Sequence, residues 1–278
     1  MKSLRPFLNT VSTLQHTTRQ IRLMSKQQST KTRPPATSQA AVLRATGLTK
    51  QYSELTVLDS IDLTVHAGSV TALIGPNGTG KTTLLRLLLG HLEPTAGDVE
   101  YAGPAVERPI GYLPQQPAFR PHFTVEETIS FYASLLETAT DTEELLTQVD
   151  LYDVRNRPVE ALSGGMTRLL GIAQSVVGDP PAVIFDEPAS GLDPTMGTKA
   201  FEITAQLADR GTAVIVSSHD LALVERYADT VILLHDKQIA AQGPPQQLCQ
   251  THNVTDLWEV YDAVTATDTP QTNTEVTQ

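Results

Sequence analysis

The feature that most constrains this fold is one nonapeptide, Gly75-Pro76-Asn77-Gly78-Thr79-Gly80-Lys81-Thr82-Thr83. A compact apolar run, Val70–Ile74, precedes it. A helical pattern over Thr83–Leu89 follows, with Leu84, Leu85, Leu87 and Leu88 on it and Gly90 as its stop. Strand, Gly-rich loop and helix in that order open an α/β unit. The loop matches the phosphate-binding pattern, with Gly75, Gly80, Lys81 and Thr82 in the required places. Its glycines let successive N–H groups of Gly75 to Thr83 turn toward one anion. The helix beginning near Lys81 adds its positive end. Lys81 is placed to neutralise β- and γ-phosphates, and the Thr82 hydroxyl to ligate Mg2+.

About a hundred residues on, Ala182-Val183-Ile184-Phe185 ends in Asp186-Glu187. An apolar strand thus delivers two adjacent carboxylates to the edge where such sheets bind ligands. After a phosphate loop, Asp186 reads as a Mg2+ ligand, commonly through water, and Glu187 as the base that polarises a water. On its own the pair would be an ordinary solvated turn.

Leu162-Ser163-Gly164-Gly165-Met166 lies shortly before Asp186. With the two preceding elements it resembles the signature of the ATP-binding cassette (ABC) ATPases. The resemblance covers roughly Leu43 to Leu248. It is most like the exporter class with separate membrane subunits, and four further positions match in order. Tyr52 stands where the family places an aromatic against adenine. Gln115, in Tyr112-Leu113-Pro114-Gln115, matches the glutamine that reaches Mg2+ and the attacking water, although Gln116 beside it leaves a one-residue ambiguity. Ser190-Gly191-Leu192-Asp193 matches a loop at the dimer interface. His219, in Ser217-Ser218-His219-Asp220, matches a histidine that contacts the γ-phosphate. Taken alone, Tyr52, Gln115 and His219 would be packing or surface residues; the resemblance carries them.

The resemblance implies an α/β phosphate-loop core with a mixed sheet, an N-terminal antiparallel β-subdomain and an inserted α-helical subdomain. It implies an Mg2+-dependent ATPase. Lys81, Glu187, His219 and Gln115 would be catalytic. Tyr52, Gly75, Pro76, Asn77, Gly78, Thr79, Gly80, Lys81, Thr82 and Thr83 would bind ATP, and Thr82, Gln115 and Asp186 would hold the metal. Ser163, Gly164 and Gly165 would face the γ-phosphate held by a second ATPase subunit, a copy or a paralogue, with Asp193 at the interface. ATP would join two head-to-tail subunits that drive a separate transmembrane permease from the cytoplasmic face of the membrane. A permease helix would dock near Gln115–Glu137, where Phe119, Phe123, Phe131 and Tyr132 fall; simple helix packing is the other account of those rings. The alternative function is a non-transport ABC ATPase acting as a soluble switch. The chain departs from the family at Thr167-Arg168-Leu169-Leu170, where a Gln flanked by basic residues is common. A helix with a single Arg there is expected to make fewer polar contacts.

Local signals place the helical insert at about 116–178. Thr124-Val125-Glu126-Glu127 reads as a capping box before Ile129–Leu136, and Asp141-Thr142-Glu143-Glu144 as a second before Leu145–Val149. A third helix is expected near Ser163. Strands return at Ala182–Phe185, Ala213–Val216 and Val231–Leu234, with a helix over Phe201–Ala208. The cassette is expected over 41–262, between tails at 1–40 and 263–278 that read as disordered.

Composition sets the remaining bounds. The 278 residues carry a net charge of −11, with one cysteine, Cys249. One cysteine excludes an intramolecular disulfide framework and a Cys-rich zinc site. No apolar stretch approaches the ~18 residues of a membrane-spanning helix. Residues 1–53 hold nine basic residues, from Lys2 to Lys50, and no acid; the rest is a body of net charge −20. That body argues against a nucleic-acid partner. Three accounts of the basic head stay open: a mitochondrial-type presequence, an arm for anionic lipid, or translation beginning at Met24.

Overall fold

A computed structural model of the protein describes residues 39–266. The expectations for residues 1–38 and 267–278, including the three accounts of the basic head, lie outside them.

Strands β1 (Ala41–Tyr52) and β2 (Leu55–His66) form an antiparallel hairpin. Strand β4 (Ala96–Tyr101) pairs antiparallel with the other edge of β1, giving a three-stranded sheet of order β2-β1-β4. The second sheet is larger. It comprises β3 (Val70–Ile74), β5 (Ile110–Leu113), β6 (Ala182–Asp186), β7 (Ala213–Ser217), β8 (Thr230–His235) and β9 (Gln238–Gly243). Their order is β5-β6-β7-β3-β8-β9. All neighbours are parallel except β9, which runs antiparallel to β8.

The unbroken apolar runs of β3, β6 and β7 follow from coverage on both faces. Every residue of these three strands is buried, as expected when a parallel sheet has a layer on each side. Successive side chains point to opposite faces. Val70, Ala72, Ile74, Val183, Phe185, Val214 and Val216 therefore pack into one core. Leu73, Ala182, Ile184, Ala213 and Ile215 enter the other, which the antiparallel sheet and helix α1 (Lys81–Leu88) close.

Helices α2 (Val125–Ala133), α3 (Thr142–Gln148) and α4 (Gly164–Val176) lie between β5 and β6 in sequence. Thr124 makes the full reciprocal capping box with Glu127. Asp141 caps α3 by accepting from the Glu144 N–H at 2.9 Å. The Glu144 carboxylate accepts from Gln148 Nε2, so the second box is half of the expected pair.

Helices α5 (Pro194–Asp209), α6 (Leu221–Tyr227), α7 (Pro245–His252) and α8 (Leu257–Thr265) complete the described chain. Helix α8 buries Leu257 and Val260. It continues to Thr265, which corrects the start of the expected C-terminal tail at 263: an apolar stripe seated on the core holds those residues helical. Among the described residues, no helix is long and apolar enough to cross a membrane.

Candidate functional site

Four loops reach one edge of the large sheet, because β3, β5, β6 and β7 run parallel and end together. Register makes this concrete: Leu113 pairs with Phe185, Asp186 with Ser217, and Ser217 with Leu73. Gly75, Gln115, Glu187 and His219 all lie just past those ends. The residues Val57, Asn77, Gly78, Gly80, Lys81, Thr82, Thr83, Gln115, Glu187 and His219 line a shared cleft of about 260 Å³. Gln115, rather than Gln116, is the glutamine in it.

The loop after β3 is shaped by positive backbone angles at Gly75 (φ 147°), Gly78 (φ 86°) and Gly80 (φ 98°). Gly75 has a second constraint. A Cβ there would sit 2.3 Å from the Leu234 carbonyl oxygen. Gly75→Ala should therefore lose about 2–5 kcal/mol of stability, from overpacking plus backbone strain. A urea midpoint equal to the parent's would contradict this.

Lys81 begins α1 and is buried. Its ammonium donates to the carbonyls of Gly75 at 2.6 Å and Pro76 at 3.0 Å. A lysine has three N–H donors, so the loop carbonyls hold the group in place while a donor remains for an anion. Burial lowers its pKa, and the charges of Glu187 and Asp186 oppose that shift.

The acidic pair is organised by a serine that sequence reading did not single out. Ser217 Oγ donates to Asp186 Oδ1 at 2.7 Å and accepts from the Glu187 N–H at 2.9 Å. It stands at the end of β7, which lies between β3 and β6. Glu187 adopts a left-handed backbone, φ 55°, unusual for a residue with a long side chain. The Ser217 bond helps hold that turn, which aims the carboxylate at His219. His219 Nε2 donates to Glu187 Oε1 at 2.8 Å. Burial raises the Glu187 pKa. His219 and Lys81 pull it down, Asp186 adds to the rise, and Arg168 lowers it. A carboxylate so placed is a stronger base than one in water.

Arg168 corrects an expectation. Rather than leaving its helix poor in polar contacts, its guanidinium is buried and reaches across to two loops. Nη1 donates to the carbonyls of Pro114 at 3.1 Å and Gln115 at 2.6 Å, and Nη2 to that of Ser190 at 3.5 Å. A single arginine in a helical pattern gave no sign of this. Val57, on β2, was also missed; it is an ordinary strand residue until the hairpin folds over the phosphate loop.

Other expected site residues lie apart from the cleft's lining. Ser163, Gly164 and Asp193 are exposed, and Gly165 is half-buried against Met196. Ser163 Oγ accepts from the Met166 N–H and so caps α4, which leaves its hydroxyl proton to donate elsewhere. Asp193 caps α5 by accepting from the N–H groups of Thr195 and Met196. Tyr52 is 47% exposed at the tip of the hairpin, with the Lys50 ammonium 5.1 Å above its ring. Phe119 and Tyr132 pack partly against the core. The rings of Phe123 and Phe131 flank the Arg120 guanidinium.

Oxygen donors dominate any metal position here: the Thr82 hydroxyl, the Gln115 amide and the Asp186 carboxylate. Asp186 spends one oxygen on Ser217 and keeps acceptor capacity on the other. Among the described residues, no cluster of three or more His, Cys, Asp or Glu could hold an ion. That set fits a hard cation carried largely by a bound phosphate group, as Mg2+ is.

Comparisons with known proteins show the family and the fold. The sequence model of a family described as "ABC transporter" matches residues 58–190. The chain is 35% identical over 240 residues to the Nod factor export ATP-binding protein I of Ralstonia nicotianae, spanning 82% of this chain and 74% of that one. It is 33% identical over 239 residues to the hemin import ATP-binding protein HmuV of Photobacterium profundum, spanning 79% and 86%. A solved structure described as the ATP-binding subunit of an ABC transporter superposes with a TM-score of 0.72 at 27% identity, over 80% of this chain and 99% of that one.

Proposed function

The chain belongs to the ATP-binding subunits of ABC transporters, an ATPase family, and from that premise we propose how its residues share the work. The observation that carries the reading is the meeting of Lys81, Gln115, Glu187 and His219 in one cleft with the phosphate loop. The backbone N–H groups of Gly75 and of Asn77 to Thr83 bind the triphosphate of ATP, with Pro76 shaping the loop between them, and Lys81 neutralises its β- and γ-phosphates. Tyr52 stacks on adenine. Thr82, Gln115 and Asp186 would hold Mg2+, which would supply charge neutralisation for the bound triphosphate. Glu187 takes the proton of the attacking water. His219 fixes the carboxylate from one side, and the Glu187 turn fixes it from the other. Catalysis is then positioning and charge stabilisation for in-line attack on the γ-phosphorus.

One chain does not complete the site. Ser163, Gly164 and Gly165 meet the γ-phosphate on a second ATPase subunit, and Asp193 lies in the interface. ATP holds the two together, and its hydrolysis releases them. The released motion drives a separate membrane permease from the cytoplasmic face, received on the insert near Phe123 and Phe131. We place this subunit with the exporters. Nod factor export ATP-binding proteins from several bacteria are among its relatives, and a hemin importer is the competing likeness. Nucleic acid has no role in this reading, consistent with an acidic body.

The test is metal and concentration dependence. The purified full chain should hydrolyse ATP only with a divalent cation, and EDTA should stop turnover. Below the dimerisation constant, the rate should rise with about the square of protein concentration, because two chains build each site. A metal-independent rate proportional to concentration would overturn the proposal.

A further inference from the structure

Helix α4 exposes its Ser163 end, yet its fifth residue, Arg168, is buried and tied to the loops after β5 and before α5. Arg168 lies five positions past Ser163, about 7.5 Å along the axis at 1.5 Å per residue. Its guanidinium meets three backbone carbonyls from two loops: Pro114 and Gln115 after β5, and Ser190 before α5. The Gln115 bond, at 2.6 Å, is the shortest of the three. Arg168 is buried, and the charges of Asp186 and Glu187 act on it. A planar, delocalised cation with a fixed fork of donors suits such a clamp; a lysine ammonium is a single point of contact.

We infer that Arg168 is a positioning residue that ties the backbone of Gln115 to the helix beginning at Ser163. The inference rests on the assignment of Ser163–Gly165 to the partner subunit's nucleotide and of Gln115 to this subunit's own. Under that assignment, α4 touches one site of the dimer with its end and adjusts the other through Arg168. Occupancy of one site is thereby transmitted to the glutamine of the other. The Ser190 contact brings the loop leading to Asp193 into the same clamp. Arg168 itself is not among the residues that line the cleft.

The experiment compares full-length parent, Arg168→Met and Arg168→Lys. Methionine keeps an unbranched apolar stem that can stay buried and removes the guanidinium donors. In the parent, hydrolysis against ATP concentration should give a Hill coefficient of about 2, the number of sites. In Arg168→Met it should fall toward about 1, with kcat down about tenfold and nucleotide affinity of the isolated chain within about twofold. Arg168→Lys should recover part of both, through the Gln115 bond alone. If Arg168→Met does not fold, Arg168→Lys is read by itself, and its Hill coefficient should fall at an unchanged melting temperature.

A parent Hill coefficient of 1 overturns the inference. So does unchanged cooperativity in the variant that folds, whether or not kcat drops, since local packing alone would slow turnover without uncoupling the sites. Glu187→Gln in parallel separates the two levels. If it retains turnover, the assignment of the site fails; if it is inactive while Arg168 variants remain cooperative, only the clamp fails.

Discussion

Glu187→Gln should slow ATP turnover by about a thousandfold, within the 10²–10⁴ range for loss of a general base, while leaving ATP binding intact. The substitution is nearly isosteric. A glutamine Oε1 can still accept from His219 Nε2, which donates to the native carboxylate at 2.8 Å. The left-handed turn at residue 187 and the bond its N–H donates to Ser217 Oγ involve the Glu187 backbone, which the change does not touch. What disappears is the capacity to take a proton. Burial, the largest influence on this carboxyl, pushes its pKa up and strengthens it as a base; an amide has no such capacity. With ATP and Mg2+, the variant should elute at twice the monomer mass, because nothing removes the γ-phosphate that joins the subunits. Turnover within about threefold of the parent, well short of the loss expected from a general base, would sink the role assigned to Glu187.

Lys81→Ala should act earlier, on nucleotide binding itself. The buried ammonium holds the Gly75 and Pro76 carbonyls and leaves a donor for phosphate. Truncation removes the buried ammonium under the loop. The loss of a buried, hydrogen-bonded charge contact is worth about 2–4 kcal/mol. At about 1.4 kcal/mol per tenfold, ATP affinity should weaken about 30- to 700-fold. Isothermal titration with MgATP measures this directly. An affinity unchanged from the parent's, in a protein that melts normally, would remove the phosphate loop from its assigned function. The two variants differ in kind: one binds without turning over, and the other fails to bind.

The part of this site legible in the sequence is the part built by neighbours in the chain. The loop from Gly75 to Thr83 needs only its own glycines and the helix that follows. The caps at Thr124, Asp141 and Ser163 act within three residues of themselves. The apolar runs of β3, β6 and β7 announce strands covered on both faces. Strands β4 and β9 were not legible. Ala96–Tyr101 and Gln238–Gly243 contain no fully buried residue, and each is held as a strand by an antiparallel partner. Helix α8 hid similarly, because only Leu257 and Val260 are buried on it.

By itself, then, the sequence determined the loop pattern, the acidic pair at a strand end, the helix starts near Lys81, Val125, Thr142 and Gly164, and the ATP-binding cassette likeness. All of these depend on residue type and short spacing. Only the tertiary structure decided which groups meet. The order β5-β6-β7-β3 sets Ser217 between the acidic strand and the phosphate-loop strand. It also turns Glu187 toward His219, and brings Arg168 within hydrogen-bonding distance of Gln115, 53 residues away in the chain. These juxtapositions come from burying two faces of one sheet at once. That collective burial fixes strand order and register across long separations, and no local pattern of residues specifies it.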